Sequence, residues 1–138
     1  MAVLLAASGI LSAGDVKIED PWIRAVPPTS KATAAFMTII NTSDKPVTIS
    51  GGSSPVAADV RPMITTKSQV DGREVMGMEF VDSFPVAAGK KRVLEPGGDH
   101  IMLMKLKSVP KAGAVVPLTL TIESGGEKET VTLNVPVR

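Results

Sequence analysis

Residues 116–123 read VPLTLTIE and residues 127–137 read EKETVTLNVPV, with Ser124-Gly125-Gly126 between them. Apolar and polar side chains alternate through both runs. Period two places the apolar set on one face of a β-strand and the polar set on the other. A glycine-rich break between two such runs closes them into a hairpin. The rest of the chain continues in the same style, and no stretch carries the 3.6-residue period of an amphipathic helix.

Residues 16–20 alternate, and Pro21 is expected to end that strand or put it at an edge. Trp22, Ile23 and Ala25 are expected in the core. Residues 33–41 (TAAFMTIIN) read as a strand with Met37 as a core filler. Residues 41–45 and 51–55 read as turns around a short strand at 46–50. Residues 56–61 read as a strand that Pro62 breaks. Asp71-Gly72 is a strong hairpin signal, and residues 74–79 follow it with Met76 and Met78 on one face. Residues 90–94 form a short strand. Glu95-Pro96-Gly97-Gly98 then delivers the chain to a strand with His100, Met102, Met104 and Leu106 on one side. Eight to ten short strands separated by turn signals predict an all-β fold. The expected architecture is a Greek-key, cupredoxin-like or Ig-like β-sandwich with a protruding hairpin loop. The chain has 138 residues, enough for one domain with a real core.

Residues 1–14 (MAVLLAASGILSAG) carry no charge and end in small residues, as the apolar part of an export leader does. They are too short to span a bilayer. The expected mature domain is residues 15–138, exported to the periplasm, with no membrane span.

Composition removes several functions. The chain has 15 basic and 14 acidic residues, spread evenly, and one Trp, three Phe and no Tyr. It therefore lacks both the basic stripe and the stacking surface of a nucleic-acid binder. It has no cysteine, which excludes disulfides, thiolate zinc sites and blue-copper centres. His100 is the sole imidazole, no motif offers it a nucleophile, and no glycine run has GxGxxG or P-loop spacing. An enzyme is not expected.

The chemistry lies in methionine. His100 and Met102 share a strand face, and an imidazole beside a thioether suits a soft ion, above all Cu(I). Met63, Met76 and Met78 fall together in a second segment. If that segment is a hairpin beside the 96–104 stretch, Met63, Met76 or Met78 converge with His100 and Met102. Such a site is uncharged and soft, which favours Cu(I) over Zn(II), Mg(II) or Ca(II). Composition and spacing also allow the plainer reading, in which His100 is a satisfied surface residue and the methionines fill the core.

Several segments, in order, resemble the periplasmic copper chaperones of the PCu(A)C family. They are IEDPWIRA at 18–25, Pro27-Pro28, Asn41-Thr42-Ser43, SSPVA at 53–57, PGGDHIMLM at 96–104 and VPLTL at 116–120. The likeness runs from about residue 16 to 137. The family pattern is a His or Met, ten residues, a Met, twenty-one residues, then His-x-Met. Met78, His100 and Met102 match its last three positions, with twenty-one residues between Met78 and His100. The first position departs: Met63 stands where a His is usual, and fourteen residues separate it from Met78. Strict spacing would select Lys67, a charged ammonium that cannot ligate.

The resemblance implies an exported sandwich that binds one Cu(I) per chain through Met63, Met78, His100 and Met102, with Met76 in reserve and Met104 as packing. It implies delivery of copper towards the dinuclear copper centre of a haem–copper oxidase, directly or through a thiol-redox partner. A one-His, three-Met set is expected to prefer Cu(I) to Cu(II) more strongly than a two-His set and to bind with less sensitivity to acid. Two other readings are a non-metal interaction module of the cell envelope and a family member whose copper binding is lost or altered.

Overall fold

The computed structural model describes residues 2–4, 10–13 and 16–138. The strands are β1 (Ala2–Leu4), β2 (Ile10–Ala13), β3 (Val16–Ile23), β4 (Ala32–Asn41), β5 (Val47–Ser53) and β6 (Ala57–Val70), then β7 (Arg73–Phe80), β8 (Ser83–Val86), β9 (Lys91–Leu94), β10 (His100–Leu106), β11 (Val115–Ser124) and β12 (Glu127–Pro136). One sheet runs β1-β12-β11-β5-β8, the other β2-β3-β4-β10-β6-β7, with β9 also paired to β4. The fold is the all-β sandwich expected, with a long hairpin formed by β6 and β7. Of the leader expected at residues 1–14, residues 1, 5–9 and 14 lie outside the described residues. β1 pairs parallel with β12, and β2 pairs antiparallel with β3. No helix of the described residues is long and apolar enough to cross a membrane.

The alternating runs of β11 and β12 pair in unbroken register from Val115↔Pro136 to Ser124↔Glu127. Leu118, Leu120 and Leu133 face inward and are fully buried. The opposite sheet meets them with Ile18, Met37, Ile39, Ile101 and Leu103. Burial of each such side chain contributes roughly 1.5–3 kcal/mol. Met37 is the core filler that its setting suggests.

Five local expectations fail. Pro21 does not end the first strand. β3 continues to Ile23 through a bulge, where Glu19 pairs with Thr38 but Trp22 pairs with Phe36. Three steps on β3 match two on β4, and Asp20 takes φ 49°. The extra residue switches the inward parity from Val16 and Ile18 to Ile23. Trp22 therefore leaves the core and stacks on Phe36 on the outer face, with ring centroids 4.7 Å apart.

Gly51 and Gly52 are strand residues of β5, not a turn. A Cβ at Gly52 would lie 1.6 Å from the Thr119 carbonyl oxygen, so only glycine lets β5 approach β11 there. Pro62 does not break β6, because its opposite neighbour on that side is Val81, the first residue past β7. The missing N–H costs no ladder bond of β7. Met104 is not a core residue. It pairs with Ala32 and Asp59 and is half-buried on the outer face.

Candidate metal centre

β9 and β10 use successive halves of one edge of β4: Leu94 pairs with Met37 and Ile101 with Ala35. The chain steps between them through Pro96-Gly97-Gly98-Asp99. Gly97 has φ 82°, a region that glycine enters without strain. The Gly98 N–H donates to the Glu95 carbonyl at 2.9 Å, and the Glu95 N–H donates to the Asp99 carbonyl at 3.1 Å. This tight loop sets His100 at the first position of β10.

Register then decides the neighbours of His100. It lies opposite Met63, and Met63 lies opposite Phe80. Directly paired residues share a face, with Cβ atoms roughly 4.5–5.5 Å apart. The face is the outer one, turned away from the sandwich core. On the other side of His100 stands Phe36, whose ring centroid is 6.2 Å from the imidazole. Arg24 lies over the Phe36 ring at 5.3 Å. The imidazole is therefore walled by apolar and aromatic groups and is only 6% exposed.

Its orientation is held from the loop. His100 Nδ1 lies 3.1 Å from the Gly98 carbonyl oxygen. A carbonyl only accepts, so Nδ1 carries the proton in this bond and Nε2 keeps its lone pair. The same carbonyl accepts from the Thr65 hydroxyl at 2.9 Å. Asp99 adds a second tie. Its Oδ1 accepts from the Thr65 N–H at 3.3 Å, and its Oδ2 pairs with Arg92 at 2.8 Å. Arg92 in turn lies 4.9 Å above the buried Phe84 ring and donates to the Pro85 carbonyl. A chain of contacts thus runs from the core to the histidine. Sequence reasoning missed Thr65, Asp99 and Arg92 here, because no spacing rule links them; only the β6–β10 and β4–β9 pairings do.

A cavity of about 360 Å³ opens beside His100. Met76, Met78, His100 and Met102 all line it, together with Arg24 and Phe36. Met78 and Met76 stand on the rim, 67% and 54% exposed. Met63 is buried within the sheet beside His100 and is not part of the cavity wall. No carboxylate lines the cavity. Among the described residues, no three His, Cys, Asp or Glu side chains gather in one place. A hard cation, which needs several oxygen ligands and usually carboxylates, finds no carboxylate in this lining. The cavity offers one imidazole nitrogen and thioether sulfurs, a donor set for a soft ion.

Known proteins share this arrangement of strands. The copper-bound PCuAC domain from PmoF2 superposes with a TM-score of 0.71 at 21% identity, over 94% of this chain and 98% of its own. That likeness is one of fold. The solution structure of apo-DR1885 from Deinococcus radiodurans is 31% identical, with a TM-score of 0.61 over 97% of this chain and 85% of its own. Its Cu(I) form is 34% identical, with a TM-score of 0.61 over 86% and 74%. Residues 16–137 match the LpqE-like family of candidate lipoproteins.

The chain belongs to the LpqE-like family of PCu(A)C proteins.

A candidate lipoprotein of Leifsonia xyli subsp. xyli (strain CTCB07), Lxx21020, is 33% identical over 126 residues, 91% of this chain and 71% of its own. In this PCu(A)C protein the three positions that match the family pattern, Met78, His100 and Met102, meet at one cavity. The departing position, Met63, is instead the direct cross-strand partner of His100.

Proposed function

We propose that this chain is an exported carrier of copper, binding one Cu(I) and handing it on rather than catalysing a reaction. The observation that carries the proposal is the cavity itself: an imidazole with Nε2 free shares it with three thioethers and no carboxylate. Neutral donors add no charge to balance a divalent ion, which favours Cu(I) over Cu(II). The copper-bound and Cu(I) forms of its structural relatives support the same reading. The lipoprotein relatives support export, which we place in the periplasm. Delivery towards the dinuclear copper centre of a haem–copper oxidase, directly or through a thiol-redox partner, is the role that the family resemblance implies. It is tested by mixing Cu(I)-loaded protein with the metal-free copper domain of such an oxidase and following the acceptor's visible spectrum.

Met78, His100 and Met102 are proposed as three ligands and Met63 as the fourth, with Met76 in reserve. Met63 has the register in its favour, and Met76 has its place on the cavity wall. An anaerobic Cu(I) titration against a chromophoric competitor separates them. If Met63 ligates, Met63→Leu weakens binding at least tenfold and Met76→Leu leaves it unchanged; the reverse result assigns the fourth position to Met76. Absence of any tight equivalent in the wild type would sink the carrier reading and leave an interaction module in its place.

The groups behind His100 carry a prediction of their own. Loss of a partner that orients a metal-ligating histidine typically weakens metal binding roughly 10–100-fold. Thr65→Val, which removes the hydroxyl from the Gly98 carbonyl, and Asp99→Asn, which removes the charge facing Arg92, are expected to fall in that range. Thr65→Ser keeps the hydroxyl and is expected to bind like wild type. Nitrogen NMR of the imidazole reports the Nδ1-protonated tautomer directly. Unchanged affinity and tautomer in Thr65→Val would contradict the role assigned to it.

A further inference from the structure

Among the described residues seven large apolar side chains are exposed, and five of them, Val70, Val75, Met76, Met78 and Phe80, belong to the β6–β7 hairpin. Copper binding would use one or two of the methionines. It gives no reason for Val70, Val75 or Phe80 to stand in water. All eight residues of β7 are exposed. β7 pairs with β6 alone, so its other edge is open among the described residues. It has no proline, and its pairing with β6 runs through eight residues without a bulge. Strands of this kind are templates for a further strand.

The backbone limits how a further strand can dock. Asp71 and Gly72 have φ 52° and 75°, as a two-residue type I′ turn requires. In such a hairpin the flanking pair, Val70 and Arg73, exchanges both hydrogen bonds, and the bonding alternates from there. Arg73, Val75, Gly77 and Glu79 bond inward to β6, as the Val81 N–H does to the Pro62 carbonyl at 3.2 Å. Glu74, Met76 and Met78 are left with N–H and C=O directed at the open edge.

The charges limit the partner. The hairpin carries Arg61, Lys67 and Arg73 against Asp59, Asp71, Glu74 and Glu79, so it does not select a partner of one sign. It does complement its own sequence reversed. With two copies of β7 antiparallel and centred on Met76, Arg73 of each lies opposite Glu79 of the other. Centring on Glu74 sets Glu74 against Glu74, and centring on Met78 sets Glu74 against Asp82. Centring on Val75 or Gly77 pairs no opposite charges within the strand. The register on Met76 is therefore the one that both the backbone alternation and the side-chain charges accept.

We propose that two copies of this chain associate edge to edge through β7, about a two-fold axis at Met76. The pairing joins the two cavity-bearing sheets into one. Paired residues share a face, so both cavities open on the same side, with Met76 of each copy at the join.

The test uses the metal-free full chain, so it stands apart from the copper reading. Sedimentation over a concentration series is expected to show a monomer–dimer equilibrium. Arg73→Glu and Glu79→Arg each set two like-charge pairs across the axis and are expected to weaken dimerisation roughly tenfold. The double variant Arg73→Glu/Glu79→Arg exchanges the charges and is expected to restore it. The chain has no cysteine, so Met76→Cys with a short bismaleimide is expected to give one cross-linked dimer. A wild type that stays monomeric throughout would overturn the proposal and point to a different occupant of the hairpin. So would dimers indifferent to the charge variants, or a Met76→Cys protein that does not cross-link.

Discussion

His100→Ala is expected to weaken Cu(I) binding by more than about a hundredfold, beyond the loss that follows removal of a partner behind a ligand. The imidazole is the one neutral nitrogen donor in the cavity, and no carboxylate lines the cavity to replace it. Its loss leaves thioethers alone, each a weak neutral ligand. The fold should survive, because His100 faces away from the core cluster. Its neighbours Phe36 and Met63 then lose one packing partner. The measurement is a competitive Cu(I) titration with far-ultraviolet circular dichroism alongside. A variant that keeps the β spectrum and still takes up one tight Cu(I) would remove His100 from the site. Met102→Leu, on the same strand face, is expected to fall in the same direction by a smaller factor.

Phe84→Ala is expected to destabilise the domain by about 3–5 kcal/mol. For a domain of this size that lowers the unfolding midpoint by roughly 10–20 °C. Phe84 is fully buried at the centre of β8, opposite Ile49. Its removal leaves a void between the two sheets that rigid strands cannot close. It also takes away the ring beneath the Arg92 guanidinium. Arg92 holds Asp99, and Asp99 adjoins His100, so Cu(I) affinity is expected to drop with stability. Phe84→Leu, which refills most of the volume, should recover most of both. Thermal and urea unfolding measure the first effect and titration the second. A loss of stability below about 1 kcal/mol would mean that this ring is not packed as a core residue.

How much of this was legible beforehand differs between elements. The clean alternation of residues 116–123 and 127–137 specified the β11–β12 pair to within a residue at its ends. Asp71-Gly72 specified the β6–β7 turn, because positive φ at both positions is a property of those residue types. Trp22 was misplaced because one extra residue at Asp20 reverses the parity, and periodicity counted along the chain does not contain that step. Pro62 and Gly51-Gly52 misled for a related reason. Each reads as a break, yet each sits where the neighbouring strand has ended or must come close.

For the candidate site, the residue types suggested a chemistry and left a plainer reading open. One imidazole, several thioethers and no thiol suit a soft metal, and they suit a satisfied histidine among core methionines as well. The match of Met78, His100 and Met102 to a known spacing named three residues that the structure does bring to one cavity. Tertiary structure alone decided what surrounds them. Met63 became the direct neighbour of His100, Thr65 and Asp99 came to fix its ring, and Met76 moved to the cavity wall. The physical reason is that a strand's own sequence sets which residues share its face. Its neighbours across the sheet come from segments tens of residues away, and hydrogen-bond register, bulges and close backbone approach choose among them.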